Sequence, residues 1–412
     1  MGESLISSSI HFLTKQEKAF KVNMVRRSVE NFANALVQQY QSIYLIALGA
    51  NSAQVGLINS LANVGTTITA LPSGWAIDRY GLKKSFIFSS LFRAMGALLF
   101  GLATNWLYTI PALFIFTLAA SVARTSCPVV CGSSLINEDR AVGMQLCDSL
   151  AAVSGIVAPV VGATIISLSG GMTADGIRPI FFIQLGVLVL ELVLIVWKFT
   201  NPSNRVTSRK GLGMVEGIRE VLRRGIAVKR YILYSSIERV PFYLNSIYIP
   251  LYAAKVKGAD AYTLGGMATA ALLVPLILSI PSGKLADRFG RKKVVYLCAP
   301  LFLLSLVFLA IAPEGNSFML IAAGVFQGFY MLGMVTGNAI RAEIVPISLL
   351  GSWGGLLGLF GGVVGMIVPI TAGYIWSASS PLGVLILIFG ATILGAAVLT
   401  TVPETLKMTR EI

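Results

Sequence analysis

Runs of about 18 apolar residues, nearly free of charge, recur along this 412-residue chain; Ile180–Trp197 and Val294–Ala312 are two of them. That length crosses the hydrocarbon core of a bilayer as a helix, and in lipid only helices and closed barrels satisfy their own backbone. A barrel needs segments of roughly ten residues with alternating polarity, and the runs do not alternate. Composition agrees. Charged residues make up 12% of the chain against about 25% in a soluble domain, and hydrophobic residues make up 55%. With a mean hydropathy of +0.79, the expected fold class is an all-α polytopic membrane protein.

The net charge of +14 raises the question of nucleic acid, and its distribution answers it. Twelve spans are expected at about 25–48, 53–77, 85–104, 107–136, 141–168 and 178–199, then 230–254, 262–286, 293–312, 316–344, 348–376 and 381–402. On that topology Lys and Arg gather at the even-numbered connections and the termini. The exceptions are Arg178, Lys255 and Lys257 on the opposite side, and Arg93, Arg124 and Arg239 within helices. This positive-inside bias places both termini and the central loop in the cytoplasm of a multi-pass cell-membrane protein. The lipid bilayer is therefore the partner of the basic charge, and nucleic acid is not.

Cys127, Cys131, Cys147 and Cys298 all fall in or beside spans, so no disulfide framework is expected. Cys127 and Cys131 share a helix face, but the single histidine, His11, is remote. Core packing is expected of them, with no metal and no cofactor. The first 20 residues lack the apolar core of a cleavable signal.

One segment occurs twice. Pro72-Ser-Gly-Trp-Ala-Ile-Asp-Arg-Tyr-Gly-Leu-Lys-Lys84 returns 209 residues later as Pro281-Ser-Gly-Lys-Leu-Ala-Asp-Arg-Phe-Gly-Arg-Lys-Lys293, with eight of thirteen positions identical. Ser42-Ile43-Tyr44 and Ser246-Ile247-Tyr248 precede the copies, while Ala158-Pro159 and Val368-Pro369 follow them. The chain then reads as two parallel repeats of six helices: residues 1–200, a cytoplasmic basic linker at 201–229, and residues 230–412. A binding site is expected near the midplane between the halves. In the linker, Leu212, Val215, Ile218 and Leu222 recur at helical spacing opposite charge. Such a helix either lies on the inner membrane face or bridges the halves in water.

Each copy of the repeated segment joins the second and third helix of its half. Gly81 and Gly290 can take the left-handed conformation that ends a helix, and the lysines after them can anchor to headgroups. Asp78 and Asp287 can pair with an Arg or a helix N-terminus. A bond made in one conformation and broken in another is a latch.

The pattern Gly-x-x-x-Asp-Arg-x-Gly-x-Lys-Lys resembles the loop 2–3 signature of the major facilitator superfamily. It is complete at Gly74, Asp78, Arg79, Gly81, Lys83 and Lys84, and again at Gly283, Asp287, Arg288, Gly290, Lys292 and Lys293. The resemblance covers essentially the whole chain. It implies twelve helices in two pseudo-symmetric bundles that rock about a central cavity lined by the first and fourth helices of each half. Helix 5 adds Gly155, Pro159 and Gly162, which resemble the Gly-Pro-x-x-Gly-Gly element of proton-coupled exporters with Ala158 and Ala163 in place of two glycines. The likeness is greatest to the drug and multidrug exporter branch.

Polar side chains are costly in hydrocarbon and face a cavity or a partner helix. Helix 1 carries Glu30, Asn34, Gln38 and Gln41 as one stripe. Helix 7 carries Tyr231, Tyr234, Glu238, Asn245 and Tyr248, with Arg239 beside the acid. Arg124 lies in helix 4, and Gln327, Tyr330 and Asn338 in helix 10. Glu30 and Glu238 are the candidate proton carriers, because a carboxyl in a partly dry cavity can take up and release a proton. The alternatives are ion pairs: Glu30 with Arg26 or Arg27, and Glu238 within its helix or with a neighbour. Arg93 and Asp148 are expected to pair near the inner surface, and Glu191 sits on a helix expected to face lipid.

No nucleophile–base set, phosphate loop or nucleotide-binding domain points to an enzyme or to ATP. The expected activity is alternating-access transport of a small-molecule substrate by a monomer, with proton-coupled export first. A proton-driven importer of a nutrient or organic acid, with Arg124 or Arg239 gripping a carboxylate, is the alternative. A non-transporting receptor or lipid-handling protein of the same fold is the third reading.

Overall fold

A computed structural model describes residues 16–69, 79–134, 140–201, 214–345 and 349–404. The first span is two helices, α1 (Lys18–Gln38) and α2 (Gln41–Ala47), broken at Gln39–Tyr40. It begins earlier than expected because Phe20 and Met24 pack on Cys147 and so hold the first turns on the bundle. The rest of the first half is α3 (Ser52–Thr69), α4 (Leu82–Leu102), α5 (Thr109–Ser134), α6 (Arg140–Leu168) and α7 (Ala174–Lys198). A linker helix, α8 (Met214–Arg223), leads to α9 (Ile226–Lys255), α10 (Ala261–Phe289), α11 (Arg291–Ile311), α12 (Ser317–Glu343), α13 (Leu350–Ala378) and α14 (Pro381–Thr400). Together these form two pseudo-symmetric bundles of six spans each, as expected.

Among the described residues nine helices are long and apolar enough to cross a membrane by themselves. The spans outside that set include the first and seventh, α1–α2 and α9. Their glutamates, asparagines and arginines lower the hydropathy, and both face the interior of the molecule rather than lipid.

The halves meet along matching seams, α3 against α13 and α6 against α10, with α2 touching α9. Gly56 abuts the Pro369 carbonyl on the first seam, and a side chain at Gly265 would come within 2.8 Å of the Pro159 carbonyl on the second. One apolar core runs through both halves at the end of the molecule opposite the linker, from Leu36, Tyr44 and Ile166 to Leu251, Phe302 and Ala372. At the linker end the cores are separate. Leu82, Phe86, Val130, Ile195 and Phe199 form one in the first half. Val228, Tyr231, Ile340, Trp353 and Leu399 belong to another in the second. Among the described residues, the shared core that joins the halves therefore lies at the far end.

The linker forms a helix, as its spacing predicts, and that helix rests in part on the second half. Ile218 and Val221 of α8 pack on the core of the second half, while Leu222 stays exposed. Leu212 lies outside the described residues, as does the Val215 side chain.

Candidate functional site

The first helix does not present one polar stripe to a cavity. Glu30 turns into its own bundle, bonding to Arg26 of α1 at 2.6 Å and Arg93 of α4 at 2.9 Å. Glu191 of α7 completes the group, 3.2 Å from Arg26 and 3.7 Å from Arg93. Asn34 accepts from Arg93 at 3.0 Å, and Asn23 from Arg26 at 3.1 Å. Arg26 lies over the Phe86 ring and Arg93 faces that of Phe116. Two cations and two anions are almost wholly buried here, and their formal charges cancel. Glu191 therefore faces the bundle rather than lipid. Arg93 pairs with Glu30 and Glu191 rather than with Asp148, whose partner is Arg27. Helix packing decides both: α7 packs against both α1 and α4, which brings three spans with buried charge to one point. Gln38 is exposed and Gln41 half-buried.

In the second half the expected residues do converge. Gln327 of α12 donates to Asn245 of α9 at 2.8 Å. Tyr330 donates to the Glu238 carbonyl at 3.1 Å, which fixes α12 against α9. Toward the linker end, Tyr231, Tyr234, Glu238, Arg239, Asn338 and Arg341 line a small open pocket between α9, α12 and α13. Tyr231 stacks at 5.7 Å on buried Trp353, whose indole donates to the Arg341 carbonyl. Glu238 and Arg239, adjacent in sequence, diverge around the helix. The Glu238 carboxylate points at Gly395 of α14, while the Arg239 side chain lies over Gly361 of α13. Among the described residues no partner is bonded to the Glu238 carboxylate. Arg341 escaped notice in the sequence because it reads there as one more basic residue at a helix end. The backbone of Arg124 lies in α5, and its side chain, like those of Cys127 and Cys131, is outside the described residues.

Two tyrosines seal the far end. Tyr40, in the break between α1 and α2, donates to the Pro159 carbonyl of α6 at 3.0 Å and to Ala261 of α10, across the halves, at 3.1 Å. Tyr248 of α9 donates to the Pro369 carbonyl of α13 at 2.8 Å and to Ser52 of α3, across the halves, at 3.3 Å. The two arrangements are pseudo-twofold copies. Tyr248 thus corresponds to Tyr40 and not to Tyr44, as the Ser-Ile-Tyr match had implied. Tyr44 bonds instead to Phe100 within its half. The signal was present as Tyr-x-x-x-Tyr at Tyr40–Tyr44 and at Tyr248–Tyr252. Gly155 and Gly162 let α1 approach α6, since a side chain there would meet Asn31 and the Leu36 carbonyl. Pro159, between them, faces Gly265 across the halves.

The gate motif is described in full in the second half only, because Gly74 and Asp78 lie outside the described residues. Gly81 and Gly290 have φ of +82° and +112°. Their ψ of 162° and 143° is extended rather than left-handed helical, a region open essentially to glycine alone. Lys83 and Lys292 do not reach for headgroups. Lys83 donates to the Val196 carbonyl of α7, and Lys292 to Thr400 and Val402 at the end of α14. The end of each sixth span replies. Asn201 accepts from the Lys83 backbone, and Glu404 from the backbones of Arg291 and Lys292. Lys84 and Lys293 remain exposed. Arg79 faces the Tyr80 ring and Arg288 that of Phe289. Gly283 is exposed with open space around it. Asp287 pairs with Arg291 at 3.4 Å, and Arg291 reaches Glu343 of α12 at 2.7 Å.

A family model for the Major Facilitator Superfamily matches residues 28–274 and 236–410. The multidrug resistance protein MdtG of Escherichia coli (strain K12 / DH10B) is 25% identical over 353 residues, covering 76% of this chain and 84% of that protein. Among solved structures, the nucleoside transporter NupG superposes with a TM-score of 0.78 at 11% identity, covering 94% of this chain and 100% of the other. A D-xylose-proton symporter superposes with a TM-score of 0.75 at 14% identity, covering 94% and 98%.

Proposed function

From a chain that belongs to the major facilitator superfamily, and so is a membrane transporter of small molecules rather than an enzyme, we propose a proton-coupled exporter working by alternating access. The carrying observation is the one-ended seal. Two related tyrosine contacts and a shared core close the far end, while the halves keep separate cores at the linker end. The basic linker and the gate-motif lysines cluster at that open end, which the positive-inside bias assigns to the cytoplasm. On that assignment the conformation is inward-open. The likeness to a protein named for multidrug resistance and the Pro159 seam support export over import.

The proton is assigned to Glu238. It is one of the residues around the pocket, with its carboxylate turned toward Gly395 of α14 and no bonded partner among the described residues, whereas Glu30 is held by two arginines. Import coupled to protons is the second reading, supported by the arginines of the same pocket. Purified protein in liposomes with an imposed pH gradient separates the two. Accumulation of substrate on the side of higher proton concentration is expected, and accumulation on the other side would replace export by symport. Glu238→Gln is expected to abolish the dependence on the gradient while Glu30→Gln retains it. The reverse pattern would overturn the proton assignment.

A further inference from the structure

Described charges buried elsewhere in the bundles are neutralised. Arg26 and Arg93 face Glu30 and Glu191, and Arg291 faces Glu343. The pocket of the second half is different. Among the described residues neither Arg239 nor Arg341 has a carboxylate within ion-pair distance, yet both line one pocket. Its one acid, Glu238, points away toward α14. Two guanidinium groups against one carboxylate leave the pocket with an excess of positive charge, and an arginine so placed pairs with something.

Resting on the transport reading, we propose that this pocket is an anion subsite. It holds the carboxylate of an amphiphilic organic molecule between Arg239 and Arg341, with the ring system of the molecule against Tyr231 and Tyr234. The geometry supports the assignment from three directions. Both arginines lie along one face of α13, where a side chain on Gly354 or Gly361 would come within 3.1 Å of them. These glycines are seven residues apart, about 10 Å of helix, so the two cations enter the pocket from successive levels of one helix face. The guanidinium plane matches a carboxylate, with donors in a fixed fork. The wall beside them is aromatic and stationary, because Tyr231 is tied to the Gly337 carbonyl at 3.0 Å and packed on Trp353. An apolar wall with a few convergent polar groups is what a small-molecule site requires.

The test is titration calorimetry on the full chain in lipid nanodiscs with three probes of one shape: 1-naphthoate, neutral 1-naphthamide and cationic 1-naphthylmethylammonium. Naphthoate is expected to bind at least tenfold tighter than the other two. Arg239→Gln and Arg341→Gln are each expected to weaken naphthoate about tenfold or more, as loss of a charged hydrogen bond does, and to leave naphthamide unchanged. Arg239→Lys is expected to recover part of the loss, and thermal unfolding of each variant reports its fold. Tightest binding by the ammonium, failure of naphthoate to bind, or naphthoate affinity untouched by both substitutions would overturn the subsite. In proteoliposomes, gradient-driven movement of the ammonium but not of naphthoate would overturn the subsite and spare the transport reading. Naphthoate binding with no gradient-driven transport of any probe would do the opposite.

Discussion

The buried quartet of the first half shows how a single side chain can be misjudged from its own helix. Glu191 stands alone in a run of leucines and valines, and nothing within α7 indicates a partner. Its partners come from α1 and α4, far away in sequence. Removing one member of a buried ion group leaves an uncompensated charge, at about 3–5 kcal/mol. Glu191→Gln is therefore expected to lower the thermal unfolding temperature of the detergent-solubilised protein markedly. Pairing it with Arg93→Gln restores neutrality and is expected to recover part of the loss. A Glu191→Gln protein as stable as the parent would show that the quartet is not held together by its charges. Glu30 and Arg93 were visible in the sequence as intramembrane charges, but a carboxylate on a polar stripe reads the same whether it faces a cavity or an arginine.

Among the elements, the gate motif was recognisable from its residues, while its mechanics were not. The spacing showed where a helix ends and the next begins. It did not show that Lys83 and Lys292 turn back onto the last carbonyls of the sixth span in each half, nor that Asn201 and Glu404 cap the helix that follows the motif. These caps satisfy backbone donors that the first turn of a helix leaves open, and losing one costs about 1 kcal/mol. Asn201→Ala and Glu404→Ala are each expected to destabilise the protein by about that amount, the second more because a charge is also lost. Gly290→Ala is expected to cost more than either, since its φ of +112° strains any side chain and the Glu404 carboxylate occupies the space. Chemical denaturation in mixed micelles measures all three, and equal stability of Gly290→Ala and the parent would refute the requirement for glycine. Helix limits, by contrast, were close to legible among the described residues outside the first span, which starts earlier than expected and is broken at Gln39–Tyr40. A run long enough to cross a bilayer has few ways to begin or end.

At the scale of the whole molecule, alternating access as proposed requires the far end to open. The far end is held by tyrosines that reach across the halves at Tyr40–Ala261 and Tyr248–Ser52, and opening it must break both. A neutral hydrogen bond contributes about 1 kcal/mol. Tyr40→Phe with Tyr248→Phe is therefore expected to shift the population toward a far-end-open state by roughly tenfold or more. Spin labels at Ser169→Cys and Ser379→Cys, exposed at the far end of either half, report this as a longer distance population. An unchanged distance distribution would remove the tyrosines from the seal.

The sequence by itself determined the class of protein, the number of spans, the twofold repeat and the position of the gate. All of these follow from apolar length and from motif spacing, which are local or periodic quantities. Only the tertiary structure decided which charges cancel and which have no oppositely charged partner within ion-pair distance among the described residues. That choice depends on which helix faces meet, and a helix carrying Glu30 or Arg239 has the same sequence whichever way it is turned. The Tyr40 and Tyr248 contacts fall between the two categories. Their spacing was written in both halves, and it acquired meaning once the far ends of the halves were brought together.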